Sequence, residues 1–247
     1  MKHVMRAVLV AAMFVSVACT SSEGPPPVTS VGQTTSGPRI LSDCPELPCQ
    51  GPLEPGKYRW TFSEPTIDFE ISSPGWTWYY SGSFRIVAAE SGTAEGLYIP
   101  DGLYFLHDPA IASQDCEETE ERGVGRSVDD LVTWLRAAPG LDVSQPTPVT
   151  VGGFEGMQLD LRIDPAWKRP CFFSEKKPVV PLVFNGAKLG GYNLSIVDGQ
   201  SLRWYILGTA DGVLLVNLED DPGGLPHGVL LETGAEIVDS LTFSSQS

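Results

Sequence analysis

The sequence predicts an α+β domain built on a mainly antiparallel β-sheet flanked by helices, after a signal peptide and a flexible tether. Three observations lead there. Short runs alternate apolar and polar residues at strand spacing, glycine-bearing turns join several of them into hairpins, and only two stretches repeat apolar residues at helical spacing.

The chain opens on MKHVMRAVLVAAMFVSVAC, with a basic start (Lys2, His3, Arg6), an apolar run over 7–15, and Ser16-Val17-Ala18 before Cys19. This is the order of a secretory signal, and the run is too short to span a bilayer. Small residues directly before a cysteine make it similar to a bacterial lipoprotein signal. That resemblance implies that residues 1–18 are removed and that Cys19 takes a diacylglycerol and becomes the mature N-terminus. Ser16 stands where the pattern prefers Leu, and Ser16 with Ala18 also suits ordinary signal peptidase, which would leave the protein freely secreted. Residues 19–40 are rich in Ser, Thr, Pro and Gly with little to bury, which reads as a tether. As a flexible coil it has an end-to-end distance of about 25 Å. Residues 41–247 fit one domain, with no proline-rich break recurring.

Within the domain, YRWTF (58–62) and TIDFEI (66–71) are short alternating runs, the second placing Ile67, Phe69 and Ile71 on one face. WTWYYSGSFRIVAA follows, with Gly82 a turn or bulge, then GLYFLH over 102–107. PVTVGGFEGMQLDLRI reads as a hairpin with strands 148–151 and 157–163, joined through glycines able to take positive φ. LRWYIL and VLLVNL form a second hairpin around residues 208–212, with Asp211-Gly212 as turn chemistry. Ser127 caps the first helix with Asp130 three residues on; Val128, Leu131, Val132, Leu135 and Ala138 share a face before Pro139-Gly140 stops it. The second helix runs over about 227–239 with a stripe of Leu231, Ala235, Ile237 and Val238, and leads into the closing strand LTF.

Five cysteines are an odd set for an exported protein, but setting Cys19 aside leaves Cys44, Cys49, Cys116 and Cys171. Of the three connectivities the favoured one joins Cys44 to Cys49 and Cys116 to Cys171. The chain-entropy model gives the first loop about 2 kcal/mol and the second about 4 kcal/mol. A zinc site is disfavoured, since no CxxC or close histidine pair exists. Loss of Lys2 and Arg6 takes the basic count from 16 to 14 against 31 acidic residues, a net charge of −17 for the mature chain. So acidic a surface repels phosphate backbones and anionic headgroups, which argues against nucleic acid and against polybasic membrane docking. Membrane attachment then falls to the lipid.

FEISSPGW, the run SVDDLVTWLRAAPGLDVSQPTPVTVGGFEGMQLDLRI, a Tyr-containing hairpin and a final helix closing on SLTF together resemble actinobacterial lipoproteins of the LpqN type, with a PsbP-like domain. The likeness lies in element order and short phrases over 127–163 and 227–243. It implies an antiparallel sheet flanked by helices, used for binding or assembly outside the membrane, and brings no catalytic residues. The stretches 109–126 and 164–191, which hold the two distal cysteines, exceed the compact family pattern.

Candidate chemistry is sparse. His107 sits in FLHDP beside Asp108 and near Asp115, but neighbours on a strand point to opposite faces and do not converge on one ion. His227 reads as part of the start of the last helix. No GxSxG elbow or triad context is present. Asp115, Glu117, Glu118, Glu120 and Glu121 lack calcium-loop spacing and read as a solvated loop pinned by Cys116, while Glu219-Asp220-Asp221-Pro222-Gly223-Gly224 reads as a loop ending a strand. Trp76, Trp78 and Tyr80 alternate, so as a strand they share one face, either lining a groove for a sugar or apolar ligand or covering the sheet core. No catalytic residue, metal or cofactor is called for. The expectation is a membrane-anchored extracytoplasmic lipoprotein acting as a non-catalytic module that binds an envelope protein or an apolar or sugar ligand. A structural envelope module and an envelope hydrolase are the alternatives.

Overall fold

Short runs, some alternating and some apolar on both faces, give sixteen strands among the described residues, and the two helical stretches give two helices. The structure is a computed structural model that describes residues 37–41, 49–61, 65–80, 84–88, 101–117, 119–184, 193–221, 226 and 228–244. The signal peptide, Cys19, most of the tether, Cys44 and His227 lie outside the described residues, as do the side chains of Cys49 and Tyr80. The fold is α+β and sheet-dominated.

A nine-stranded sheet forms the middle layer. Its order is β10 (Thr147–Val151), β11 (Phe154–Ile163), β14 (Ser201–Thr209), β15 (Gly212–Asp220), β7 (Gly102–His107), β6 (Phe84–Ala88), β5 (Trp76–Tyr80) and β2 (Cys49–Leu53), with β9 (Leu141–Val143) also paired to β11. All of these pairings are antiparallel. The β10–β11 turn is the two residues Gly152 and Gly153 at φ 57° and 90°, the left-handed pair that a tight hairpin requires. Gly156 serves a different need: a Cβ there would lie within clashing distance of the Ile206 carbonyl, so only glycine lets β11 close on β14.

One face of the middle sheet carries the first core. β3 (Gly56–Trp60) and β4 (Thr66–Ile71) pair with β1 (Arg39–Ile40) and β16 (Thr242–Ser244) in a four-stranded sheet. Their Tyr58, Trp60, Ile67, Phe69 and Ile71 pack with Leu103, Phe105, Leu214, Val216 and Leu218 of the middle sheet and with Leu230, Ile237 and Val238 of α2 (Val229–Asp239). β1 takes in Arg39 and Ile40, which composition assigned to the tether; Arg39 Nη1 donates to the Tyr58 hydroxyl at 2.8 Å. α2 buries Gly234 where the helical stripe predicted Ala235, because a Cβ at 234 would stand 2.9 Å from Leu218 Cδ2 and the helix lies that close to β15.

The other face carries the second core, made by α1 (Val128–Ala137) and a three-stranded sheet ordered β13 (Asn193–Val197), β12 (Val179–Phe184), β8 (Ala110–Ile111). Ser127 and Asp130 form the expected capping box, and Leu131 and Leu135 are the buried face of α1. The third sheet draws on the stretches 109–126 and 164–191, the ones that exceed the compact family pattern, through β8 and β12. VVPLVF lacks alternation because almost all of it is buried, and Pro181 stands at a bulge in the pairing with β13, where its missing N–H does least harm. Cys116 and Cys171 are joined as favoured, with Cα atoms 5.5 Å apart. Residues 36–247 form one compact unit, and among the described residues no helix is long and apolar enough to cross a membrane.

Candidate functional site

The aromatic face was the first candidate, and the structure turns its described members inward. Trp76 is 6% exposed within the first core. Trp78 is half-buried against that core, its ring 6.2 Å from Trp60. Gly51 makes this possible, since a Cβ there would lie 2.9 Å from Trp78 Nε1. β3 and β4 cover this face, so Trp76 and Trp78 line the core rather than an open groove.

The histidine and acidic candidates do not converge. His107 is exposed at the end of β7, while Asp108, at φ 45°, accepts from Arg126 at 3.0 Å. The same guanidinium reaches Glu120 at 2.9 Å. Asp115 is held below the usual carboxylate range by the Glu117 N–H, the Ser113 hydroxyl and the nearby charge of Arg169. Among the described residues no three His, Cys, Asp or Glu side chains are grouped to hold a metal ion. Two open, shallow grooves flank the start of α1, one along Pro148, Val149, Glu155 and Met157, the other beside Arg126, Gly208 and Val213.

A polar cluster that the sequence did not reveal lies under the second core. Register places Tyr79, Arg85, Tyr104, Asn217 and Trp204 in one row across β5, β6, β7, β15 and β14. The Arg85 guanidinium sits between the rings of Tyr79 and Tyr104, 5.7 and 5.3 Å from their centroids. Both functions of the Asn217 amide and the Trp204 indole N–H are fully buried with no hydrogen-bond partner among the described residues.

Glu219 follows Asn217 on the same face of β15. Its Oε1 accepts from Gln200 Nε2 at 2.8 Å, the same nitrogen lies 3.1 Å from Asp221 Oδ2, and the Asp221 N–H donates to Asp101 Oδ1 at 2.6 Å. Burial pushes the Glu219 carboxyl up to about 8, helped by the charges of Asp221 and Asp101 and opposed by Arg85 and the Gln200 hydrogen bond. At neutral pH it is a neutral acid. Asp220 points the other way, and its Oδ2 accepts from the N–H of Gly228, the left-handed residue that starts α2.

Glu219, Asp220 and Asp221 thus end β15 inside the molecule rather than in a solvated loop. Tyr79, at the end of the row, is half-buried, whereas Arg85, Asn217, Glu219, Asp220 and Asp221 are buried. A network of this kind fixes strand ends and the start of a helix. The signal available in the sequence was Asn217 and Glu219 at alternate positions of an otherwise apolar strand, Val213 and Leu215 preceding them on that face.

Compared with protein-family models and with curated proteins, the chain matches none.

Proposed function

We propose that this protein is an extracytoplasmic lipoprotein, anchored through Cys19, whose PsbP-like domain of the LpqN type binds or assembles a partner in the cell envelope without catalysing a reaction. The observation that carries this reading is the bond between Cys116 and Cys171, 55 residues apart, because a structural disulfide belongs to an oxidising compartment. It agrees with the export signal at 1–18 and with the even cysteine set that remains once Cys19 is lipidated. The buried hydrogen bonds that tie Glu219, Asp221 and Asp101 together suit a scaffold role for these groups. The −17 charge of the mature chain, from 14 basic and 31 acidic residues, favours a basic protein partner held by salt-sensitive contacts.

The test is made in a bacterial host with lipoprotein processing. The full chain should sediment with membranes and gain the mass of a diacylglyceryl group, and Cys19→Ala should release it at the unlipidated mass. Membrane retention and mass that do not change with Cys19→Ala would refute the anchor.

A further inference from the structure

Between β11 and β12 the chain builds a rigid tip. Pro170 and Pro178 bridge antiparallel, and the Val179 N–H donates to the Arg169 carbonyl at 3.1 Å. Cys171 is bonded to Cys116, and the Ser174 hydroxyl accepts from the Cys171 N–H at 3.1 Å while donating to the Lys177 carbonyl at 2.7 Å. Glu175 and Lys176 take left-handed φ values of 50° and 71° to complete the turn.

This frame holds two phenylalanines in water. Phe172 is 79% and Phe173 40% exposed, their rings edge to face at 5.2 Å. Around them Lys168, Arg169, Lys176 and Lys177 are all exposed, four of the 16 cationic side chains of the whole chain within ten residues. Glu175 in the tip and Asp115 beside Arg169 offset part of that charge. The remainder is positive, a local reversal in an acidic protein.

We propose that the tip over 168–177 is a membrane-surface contact, seating Phe172 and Phe173 at the headgroup boundary of a bilayer rich in anionic lipid with Lys168, Arg169, Lys176 and Lys177 on its phosphates. Apolar rings rimmed by lysine and arginine are the composition of interfacial binding elements, and lysines near an anionic surface add attraction that salt screens. The apolar pair stands exposed to water, so a soft interface can close around it, whereas a protein partner would have to bring a matching pocket. The overall charge argues against docking by the domain as a whole, and the tip is where that argument fails. The assignment stands independently of the Cys19 anchor. With the anchor in place, a tether reaching about 25 Å keeps the local lipid concentration high, so a weak contact suffices.

The test uses the unlipidated chain from residue 20, which contains the whole compact unit 36–247 and lacks Cys19, so failure of the anchor does not affect it. Co-sedimentation is measured with vesicles of equal parts phosphatidylglycerol and phosphatidylcholine and with phosphatidylcholine alone. Partition should favour the anionic vesicles, fall with added salt, and drop by about tenfold or more in the double variant Phe172→Ser, Phe173→Ser. Lys176→Glu with Lys177→Glu should remove most of the salt dependence. Unchanged thermal midpoints, expected for such exposed positions, show that both variants remain folded. No preference for anionic vesicles, or a preference that the phenylalanine variant retains, overturns the proposal. Binding to soluble poly-glutamate without binding to vesicles also overturns it, and assigns the tip to an acidic protein instead.

Discussion

Glu219 keeps its proton at neutral pH because burial strips it of water and, to a lesser degree, because Asp221 and Asp101 lie near it, and Arg85 and Gln200 only partly compensate. The unfolded chain gives that proton up near the ordinary value of 4.5, the folded one near 8. Between those values the folded state binds more protons than the unfolded state, so stability falls as pH rises through the window, by on the order of 1 kcal/mol per pH unit. Glu219→Gln keeps an acceptor for Gln200 and has no proton to lose. Urea midpoints measured at pH 5, 6.5 and 8 should decline for the native chain and stay nearly level for the variant; parallel declines would assign the effect to another group. The sequence reading put Glu219 in a loop ending the strand, whereas β15 runs on through Asp220 and sets Asn217 and Glu219 on one face; even strand alternation reports sidedness and not what covers each side.

At the scale of elements, the segment 109–126 and the region before β12 are drawn into one layer by the Cys116–Cys171 bond, which also fixes the base of the phenylalanine tip. Closing a loop of this length restricts the unfolded chain, so the double variant Cys116→Ser, Cys171→Ser should lose about 2–4 kcal/mol of unfolding free energy. Non-reducing peptide maps should join the Cys116 and Cys171 peptides, and linkage of either to Cys44 would refute the pairing. The two central hairpins were legible because glycine turns mark them, at Gly152-Gly153 and at Asp211-Gly212, although the β14–β15 strands are buried on both faces and do not alternate. β12 was not, because VVPLVF is buried almost throughout, does not alternate, and carries a proline that reads as a break. The stripe of α2 was misplaced for a related reason: Gly234 reads as a weak point in a helix, yet its missing Cβ is what brings the helix onto Leu218.

In the molecule as a whole, the middle sheet is shared by two cores, and this explains why the aromatic strand 76–80 was open to two readings. Alternation put Trp76 and Trp78 on one face but could not say what lies over it; the four-stranded sheet does, and Trp76 becomes core. The phenylalanine tip escaped notice because a short apolar pair between lysines has no periodicity to detect. The layered plan also carries a thermodynamic consequence. Leu215 and Val216 are neighbours on β15, but Leu215 belongs to the core under α1 and the third sheet, and Val216 to the core under α2 and the four-stranded sheet. Neither core can come apart without exposing a face of the strand that the other one needs, so the two should melt together. Leu215→Ala should cost about 2–5 kcal/mol and Val216→Ala somewhat less, for fewer methyl groups are removed. Each should shift one cooperative urea transition, with tryptophan fluorescence and far-ultraviolet dichroism coincident in both variants. A variant in which the two probes separate would show that the cores are independent folding units joined only by connectivity.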